Sequence, residues 1–197
     1  MNKDKVILTD CDGVLLDWEY SFAVWMKSHG YRLVDNYSTH YSIHHRYGIE
    51  KQESKKLTRL FNESSDIGYL TPLRDSIKYV RKLHEEHGYV FHVITSLSKL
   101  KSASELRKKN LNRVFGKGIF EEVICLETGS DKDGALEPYR GSECYWIEDK
   151  PENSTLGADL GLSSIIIHHQ YNSLYHDHRV ARSNNWKEIY RLITGLE

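Results

Sequence analysis

The feature that most constrains this chain is an alternation. Short, near-continuous apolar runs are separated by charged stretches with helical spacing. Residues 5–9 (KVILT), 89–95 (YVFHVIT), 120–126, 144–147 and 164–167 read as strands. Runs without polar alternation fit parallel strands covered on both faces. Between them, residues 74–87 place Ile77, Val80 and Leu83 on one helical face, with Gly88 just beyond. Residues 102–114 and 185–193 read as further helices, the last with Asn184 or Asn185 as its cap. The expectation is a Rossmann-like three-layer α/β domain around a mostly parallel five-stranded sheet.

One segment breaks the alternation. Residues 18–69 are about twice as long as a simple crossover between parallel strands requires. They are rich in Tyr and His and contain two helical patterns, 18–28 and 50–61. Residues 70–73 (LTPL), with Pro72 at a helix start, return the chain to the sheet. This divides the chain into a core, 1–17 and 70–197, and a helical insertion, 18–69. A total of 197 residues suits one domain with such an insertion. Lys plus Arg number 27 and Asp plus Glu 28, a net charge of −1, which argues against a strongly basic nucleic-acid binder. The longest apolar run is five residues, 22–26, far short of the ~20 of a membrane span. Asp4 and Asp10 bracket the first apolar stretch, so no secretory leader is read there. Cys11, Cys125 and Cys144 lack Cys-x-x-Cys spacing and read as reduced thiols, so a cytoplasmic protein is expected.

The chemistry-bearing residues fall at strand ends. Asp10-Cys11-Asp12-Gly13 follows directly on Val6-Ile7-Leu8. Two carboxylates at the C-terminal end of a buried strand are costly unless they bind something, and that end is where open α/β sheets place ligands. An EF-hand is excluded, because Leu15 and Ser21 stand where its Gly and Glu belong. Glu148-Asp149 ends another apolar run. If the two strands are neighbours, Asp10, Asp12 and Asp149 converge on one cation, and carboxylate oxygens suit Mg²⁺ better than zinc. The competing reading is that Glu148 and Asp149 only favour a helix N-terminus near Glu152. Thr95-Ser96 ends the second strand and can hold phosphate oxygens, or can simply cap a helix. Lys132 lies in a loop, either as solvated surface or as the cation the carboxylates need. The His-rich residues 168–178 read as a polar loop. Arg107-Lys108-Lys109 and Lys55-Lys56 read as solvated helix faces, or as guides for an oligonucleotide end. There is no Gly-x-Ser-x-Gly elbow and no Walker A loop, and His84-Glu85-Glu86-His87 has the wrong spacing for a zinc protease.

The ordered set Asp-x-Asp-Gly, Thr-Ser, Lys, Glu-Asp resembles the haloacid dehalogenase superfamily of phosphotransferases, from residue 6 to about 167. The resemblance implies that Asp10 is a nucleophile forming an aspartyl-phosphate. It implies that Asp12 protonates the leaving oxygen and then deprotonates water. Family dehalogenases lack this second Asp. Thr95 would bind the phosphoryl group and Lys132 would neutralise its charge. Asp149 would hold Mg²⁺ with the Asp10 side chain and the Asp12 carbonyl, supported by Glu148. Gly13 would allow the sharp turn beside the phosphate, and residues 18–69 would form the cap that selects substrate.

Residues 10–18, Ile94-Thr95-Ser96, Asp131-Lys132 and Phe115-Gly116 are similar to the deoxyribonucleotidase branch. The chain departs from that branch at Glu148 and at Leu97. The function expected is a Mg²⁺-dependent phosphomonoesterase acting on nucleoside monophosphates, with Gly13, Trp18 and Ser96 contacting substrate and Trp18 stacking on the base. The alternatives are a phosphatase of nucleic-acid termini or other small esters, and a non-catalytic binding protein of the same fold. Retention of Asp10, Asp12, Lys132 and Asp149 argues against the last.

Overall fold

The computed structural model describes residues 5–196. Asp4, which bounds the first apolar stretch in the sequence, lies outside the described residues, as do the rest of residues 1–4 and residue 197. Six parallel strands form one sheet in the order β3-β2-β1-β4-β5-β6. They are β1 (Val6–Thr9), β2 (Val90–Ser96), β3 (Phe120–Leu126), β4 (Tyr145–Glu148), β5 (Ser163–Ile167) and β6 (Ala181–Ser183). The sixth strand corrects the five expected from sequence. Ala181-Arg182-Ser183 pairs with 165–167 at the sheet edge, and two of its three residues are exposed. An edge strand this short needs no apolar run, so nothing in the sequence marked it.

Period-2 alternation sends β1 side chains to two cores. Ile7 joins Phe91, Val93, Ile147 and Ile165 on one face. Val6 and Leu8 join Ile94, Trp146, Leu136 and Leu160 on the other. Helix α4 (Ser76–Glu85) buries Tyr79, Val80 and Leu83, and α8 (Trp186–Thr194) buries Trp186, Ile189 and Tyr190. Asn185 caps α8, its side-chain oxygen accepting from the Glu188 N–H at 3.0 Å. Helix α5 (Lys101–Phe115) completes that layer. On the other face lie the short α6 (Asp133–Leu136) and α7 (Pro151–Asp159), with proline in the first turn of α7. Pro72 does not open a helix as expected. It bridges antiparallel to Leu16, and α4 starts at Ser76.

Residues 18–69 form α1 (Trp18–Ser28), α2 (Ile43–Tyr47) and α3 (Lys51–Asn62), with 3₁₀ turns at Tyr37–Thr39 and Ser65–Gly68. Asp17 caps α1 by accepting from the Tyr20 N–H at 3.0 Å. The aromatic residues pack this segment onto the core that includes Ile7 and Phe91. Phe22 is buried against Trp18, Trp25, Tyr47 and Phe61. Burying a side chain of that size is worth about 1.5–3 kcal/mol. No described helix is long and apolar enough to cross a membrane.

The topology fixes where a ligand can sit. The chain builds β1, β2 and β3 outward in one direction, then returns to place β4, β5 and β6 on the other side of β1. Strand order therefore reverses between β1 and β4, which opens a crevice at their C-terminal ends.

Candidate active site

Both acidic pairs lie at that crevice. The Asp10 N–H donates to the Ile147 carbonyl at 2.8 Å, locking the end of β1 to β4. Carboxylate oxygens of Asp10, Glu148 and Asp149 lie within 4.8 Å of one another, and all three residues are buried. Lys132, at the N-terminus of α6, is 2 % exposed. Its Nζ lies 2.9 Å from Asp10 Oδ1 and 2.9 Å from Glu148 Oε1, and 5.2 Å from the centre of the Trp146 ring. Glu148 is further held by the Asn153 amide and by the N–H groups of Asp149 and Lys150. Its neighbour Asp149 accepts from the Tyr171 hydroxyl through Oδ2, and from Asn172 Nδ2 through its carbonyl at 2.8 Å.

Gly13 is required twice over. Its φ of +78° is disfavoured for other residues, and a Cβ there would lie 2.6 Å from Asp149 Oδ2. His169 Nε2 lies 2.7 Å from the Gly13 carbonyl and so carries the proton of that bond. The same ring stacks on Tyr171 at 5.0 Å. The start of the His-rich loop after β5, at His169, Tyr171 and Asn172, thus buttresses the floor of the crevice, while His176 and His178 are exposed.

Asp12 does not join the carboxylate cluster. Arg107 of α5, wholly buried, grips both its oxygens at 2.6 and 2.9 Å and also reaches Cys11 Sγ at 3.0 Å. The sequence placed Arg107 on a solvated face with Lys108 and Lys109. Only the two lysines are exposed. Thr95 is buried at the end of β2 and lines the crevice. The Ser96 hydroxyl donates to the Ser130 carbonyl at 2.9 Å, holding the loop that leads to Lys132.

The charges explain the titration. Burial pushes Asp10 up to about 7; Lys132 opposes the rise, while Glu148 and Asp12 add to it. Burial and the adjacent Glu148 likewise raise Asp149. Burial opposes the charge on Glu148 too, but Lys132 and the N–H donors outweigh it and hold that carboxyl at about 2. Three carboxyl groups cluster here and the buried Lys132 ammonium pairs with two of them, Asp10 and Glu148, so the cluster is short of positive charge. Oxygen donors in that arrangement fit a hard dication.

A cleft of about 980 Å³ opens above this floor. Residues 18–69 supply much of its wall, from Trp18, Tyr20, Tyr37, Tyr41 and one face of α3. Trp18 is half-buried. One ring face stacks on Phe22 at 4.5 Å, its edge meets Phe61, and its Nε1 donates to Asn62 Oδ1 at 2.9 Å. Tyr41 crosses to the core and packs edge-on against Tyr171 at 5.3 Å. Sequence reasoning missed Arg107, Asn153, His169, Tyr171 and Asn172. For the last three, the available signal was position alone, because a loop leaving β5 on the same side must pass over Asp149.

No protein-family model matches the chain. It is 29% identical over 133 residues to an uncharacterized 32.4 kDa protein of the Gp30-rIII intergenic region of Enterobacteria phage T4, a match covering 64% of this chain and 46% of that protein. The chain thus matches less than half the length of that curated relative. Solved structures give broader likeness. A haloacid dehalogenase-like hydrolase from Streptococcus pneumoniae aligns over 98% of this chain and 100% of its own, at 14% identity and a TM-score of 0.67. An L-2-haloacid dehalogenase from Xanthobacter autotrophicus covers 98% and 99%, at 10% identity and 0.63. A D,D-heptose 1,7-bisphosphate phosphatase from B. bronchiseptica, complexed with magnesium and phosphate, covers 97% and 98%, at 10% identity and 0.61. With its parallel sheet and strand order reversed at β1, the chain has the haloacid dehalogenase-like fold.

Proposed function

We propose that this protein is a Mg²⁺-dependent phosphomonoesterase acting on nucleotides, with nucleoside monophosphates as the first substrates to test. The observation that carries the reading is the buried bridge from Lys132 to Asp10 and Glu148, with Asp149 alongside. A carboxylate nucleophile attacking an anionic phosphate must overcome charge repulsion, and this floor is built around that problem. Asp10 attacks phosphorus, and the bond to the leaving oxygen breaks. Asp12, oriented by Arg107, supplies the proton that oxygen needs. Water then attacks the aspartyl-phosphate, Asp12 takes its proton, and free Asp10 returns with inorganic phosphate. Lys132 stays paired with Asp10 before attack and with the phosphoryl oxygens after it, while Thr95 and Ser96 flank the group at the end of β2. The Asp10 and Asp149 carboxylates and the Asp12 carbonyl would hold Mg²⁺, with Glu148 behind them. When bound, the ion neutralises charge on the phosphoryl oxygens. The Asp12 carboxylate favours phosphate chemistry over dehalogenation. The aromatic wall at Trp18, Tyr37 and Tyr41 offers π faces to a base.

The test is phosphate release from nucleoside monophosphates, sugar phosphates, p-nitrophenyl phosphate and phosphorylated oligonucleotides, with Mg²⁺ and with EDTA. Release that needs Mg²⁺ and falls at least about 10⁴-fold in Asp10→Asn is expected, as for loss of other catalytic nucleophiles. Equal rates with EDTA, or in the variant, would overturn the mechanism. Binding of these ligands without any turnover would instead favour the non-catalytic reading.

A further inference from the structure

Helix α3 sorts its charges in a way that its own folding does not reward. Leu57 and Phe61 face the core. The flanking stripe, Lys51, Ser54, Lys55, Thr58, Arg59 and Asn62, lines the cleft that holds Asp10 and Asp149, with Ser54 and Asn62 buried and Lys51, Lys55 and Arg59 exposed. Every charge on that stripe is positive. The helix's one acid, Glu53, is turned away and accepts a hydrogen bond from the Tyr31 hydroxyl at 2.7 Å. Lys51 with Lys55, and Lys55 with Arg59, are like-charge pairs at i,i+4, a spacing that destabilises a helix. Arg59 is relieved by Glu63 at 2.9 Å, but among the described residues Lys51 and Lys55 form no ion pair.

Arg46 of α2 lines the same wall. It is buried and paired with Glu19, yet its Nε has no hydrogen-bond partner among the described residues. A solvated face would mix its signs. This one presents the unpaired Lys51 and Lys55 to a cleft whose floor, on the phosphomonoesterase reading, takes a phosphoryl group. From Lys51 to Arg59 the stripe extends about 12 Å along the helix, more than one phosphate can occupy.

We infer that the α3 wall is a second anion subsite, and that the substrate carries at least one further phosphate beyond the one removed at Asp10. This rests on the phosphomonoesterase reading and narrows it. Two sources share that chemistry: a nucleoside 3′,5′-bisphosphate and the phosphorylated end of an oligonucleotide.

The experiment compares kcat/KM for a nucleoside 5′-monophosphate, the corresponding 3′,5′-bisphosphate, and 5′- and 3′-phosphorylated tetranucleotides. It uses the wild-type chain and the double variant Lys51→Gln/Lys55→Gln. In the wild type, at least one multiply phosphorylated substrate is preferred by about tenfold, the worth of one charge-assisted contact. In the double variant that ratio falls towards one, chiefly through KM. The melting temperature of the variant equals or exceeds that of the wild type, since a like-charge pair has been removed. Which substrate gives the larger ratio identifies the source.

No preference in the wild type, or a preference that survives in the double variant, overturns the subsite. If no substrate is hydrolysed by the wild type, the phosphomonoesterase reading fails by itself. Fluorescence anisotropy of a labelled tetranucleotide and a labelled bisphosphate then decides the subsite separately. Binding that weakens about tenfold in the double variant supports it, and absent or unchanged binding overturns it.

Discussion

At the floor of the cleft, the acidic residues are buried and held by neighbouring groups. Glu148 meets Lys132, the Asn153 amide and two backbone N–H groups, and Asp149 is fixed by Tyr171 and Asn172. On the wall that faces it, Lys51 and Lys55 are exposed and Trp18 is only half-buried. The floor concentrates charge where water is scarce, so every group there must be satisfied or pay for desolvation. The wall keeps its charges in solvent, where they cost little until a ligand arrives. On the proposed function, chemistry falls to the buried side and selection to the exposed one. If that division is right, substitutions in the floor change stability and catalysis together, whereas those in the wall change substrate choice with little effect on either.

The largest effect is expected at Lys132. Lys132→Met removes the one cation that, among the described residues, pairs with Asp10 and Glu148, and it strands two buried carboxylates, which should cost about 3–5 kcal/mol of unfolding free energy by urea titration. A loss below about 1 kcal/mol would break the contrast, since a dispensable ion pair behaves like a surface one.

The same floor should show in the pH dependence of the metal-free protein. Asp10 titrates near 7 in the fold, against 3.8 as its ordinary value. Between those values the native state holds a proton that the unfolded chain releases. The stability linked to Asp10 is therefore fully present below about pH 4 and is lost as pH rises through 7. A shift of this size corresponds to at most about 4 kcal/mol. Glu148 works in the opposite sense, but its contribution is lost only as pH falls from 4.5 through about 2. Chemical denaturation in EDTA should thus show stability falling from pH 5 to pH 8, and Asp10→Asn should flatten much of that slope. Parallel slopes in the two proteins would mean that the floor is not short of positive charge.

The floor was legible in the sequence because a carboxylate pair directly after an apolar run marks the end of a buried strand. Asp10, Asp12, Glu148 and Asp149 are all of that kind. Lys132 was legible only as a requirement, since its own segment looks like any polar loop. Arg107 carried a signal that its charged neighbours masked. With Ala103 and Leu111 it lies at i,i+4 spacing on one helical face, and that face is the buried one. Tyr171, His169 and Asn172 had no pattern to betray them; their roles follow from β5 lying beside β4, which is a fact of topology. The third strand on that side, β6, is too short and too exposed for any apolar pattern.

Tyr171 tests whether the loop after β5 belongs to the floor. Its hydroxyl orients the Asp149 carboxylate, and removing a partner behind a metal-holding group typically costs 10–100-fold in affinity. Tyr171→Phe should weaken Mg²⁺ binding by about tenfold in calorimetry while keeping the ring stacked on His169. Unchanged affinity would place Tyr171 with the wall, as a cleft-lining aromatic and no more.

The smallest effect is expected at Trp18, where the two sides of the contrast meet. Phe22 already covers one of its ring faces, and Asn62 fixes its tilt. A base can therefore stack only on what remains, which puts the contribution near the lower end of base–aromatic stacking, about 1 kcal/mol. Trp18→Leu keeps apolar volume against Phe22 and should raise KM for a nucleoside monophosphate about fivefold, with less than about a twofold change for p-nitrophenyl phosphate. The split between the two substrates is what matters. Equal rises would mean that Trp18 serves only the packing of residues 18–69, so that selection falls to the cations of α3. A fall in kcat on both substrates would mean something different: that wall and floor move as one body, and that closing the wall over the floor is part of how Asp10 is set for attack.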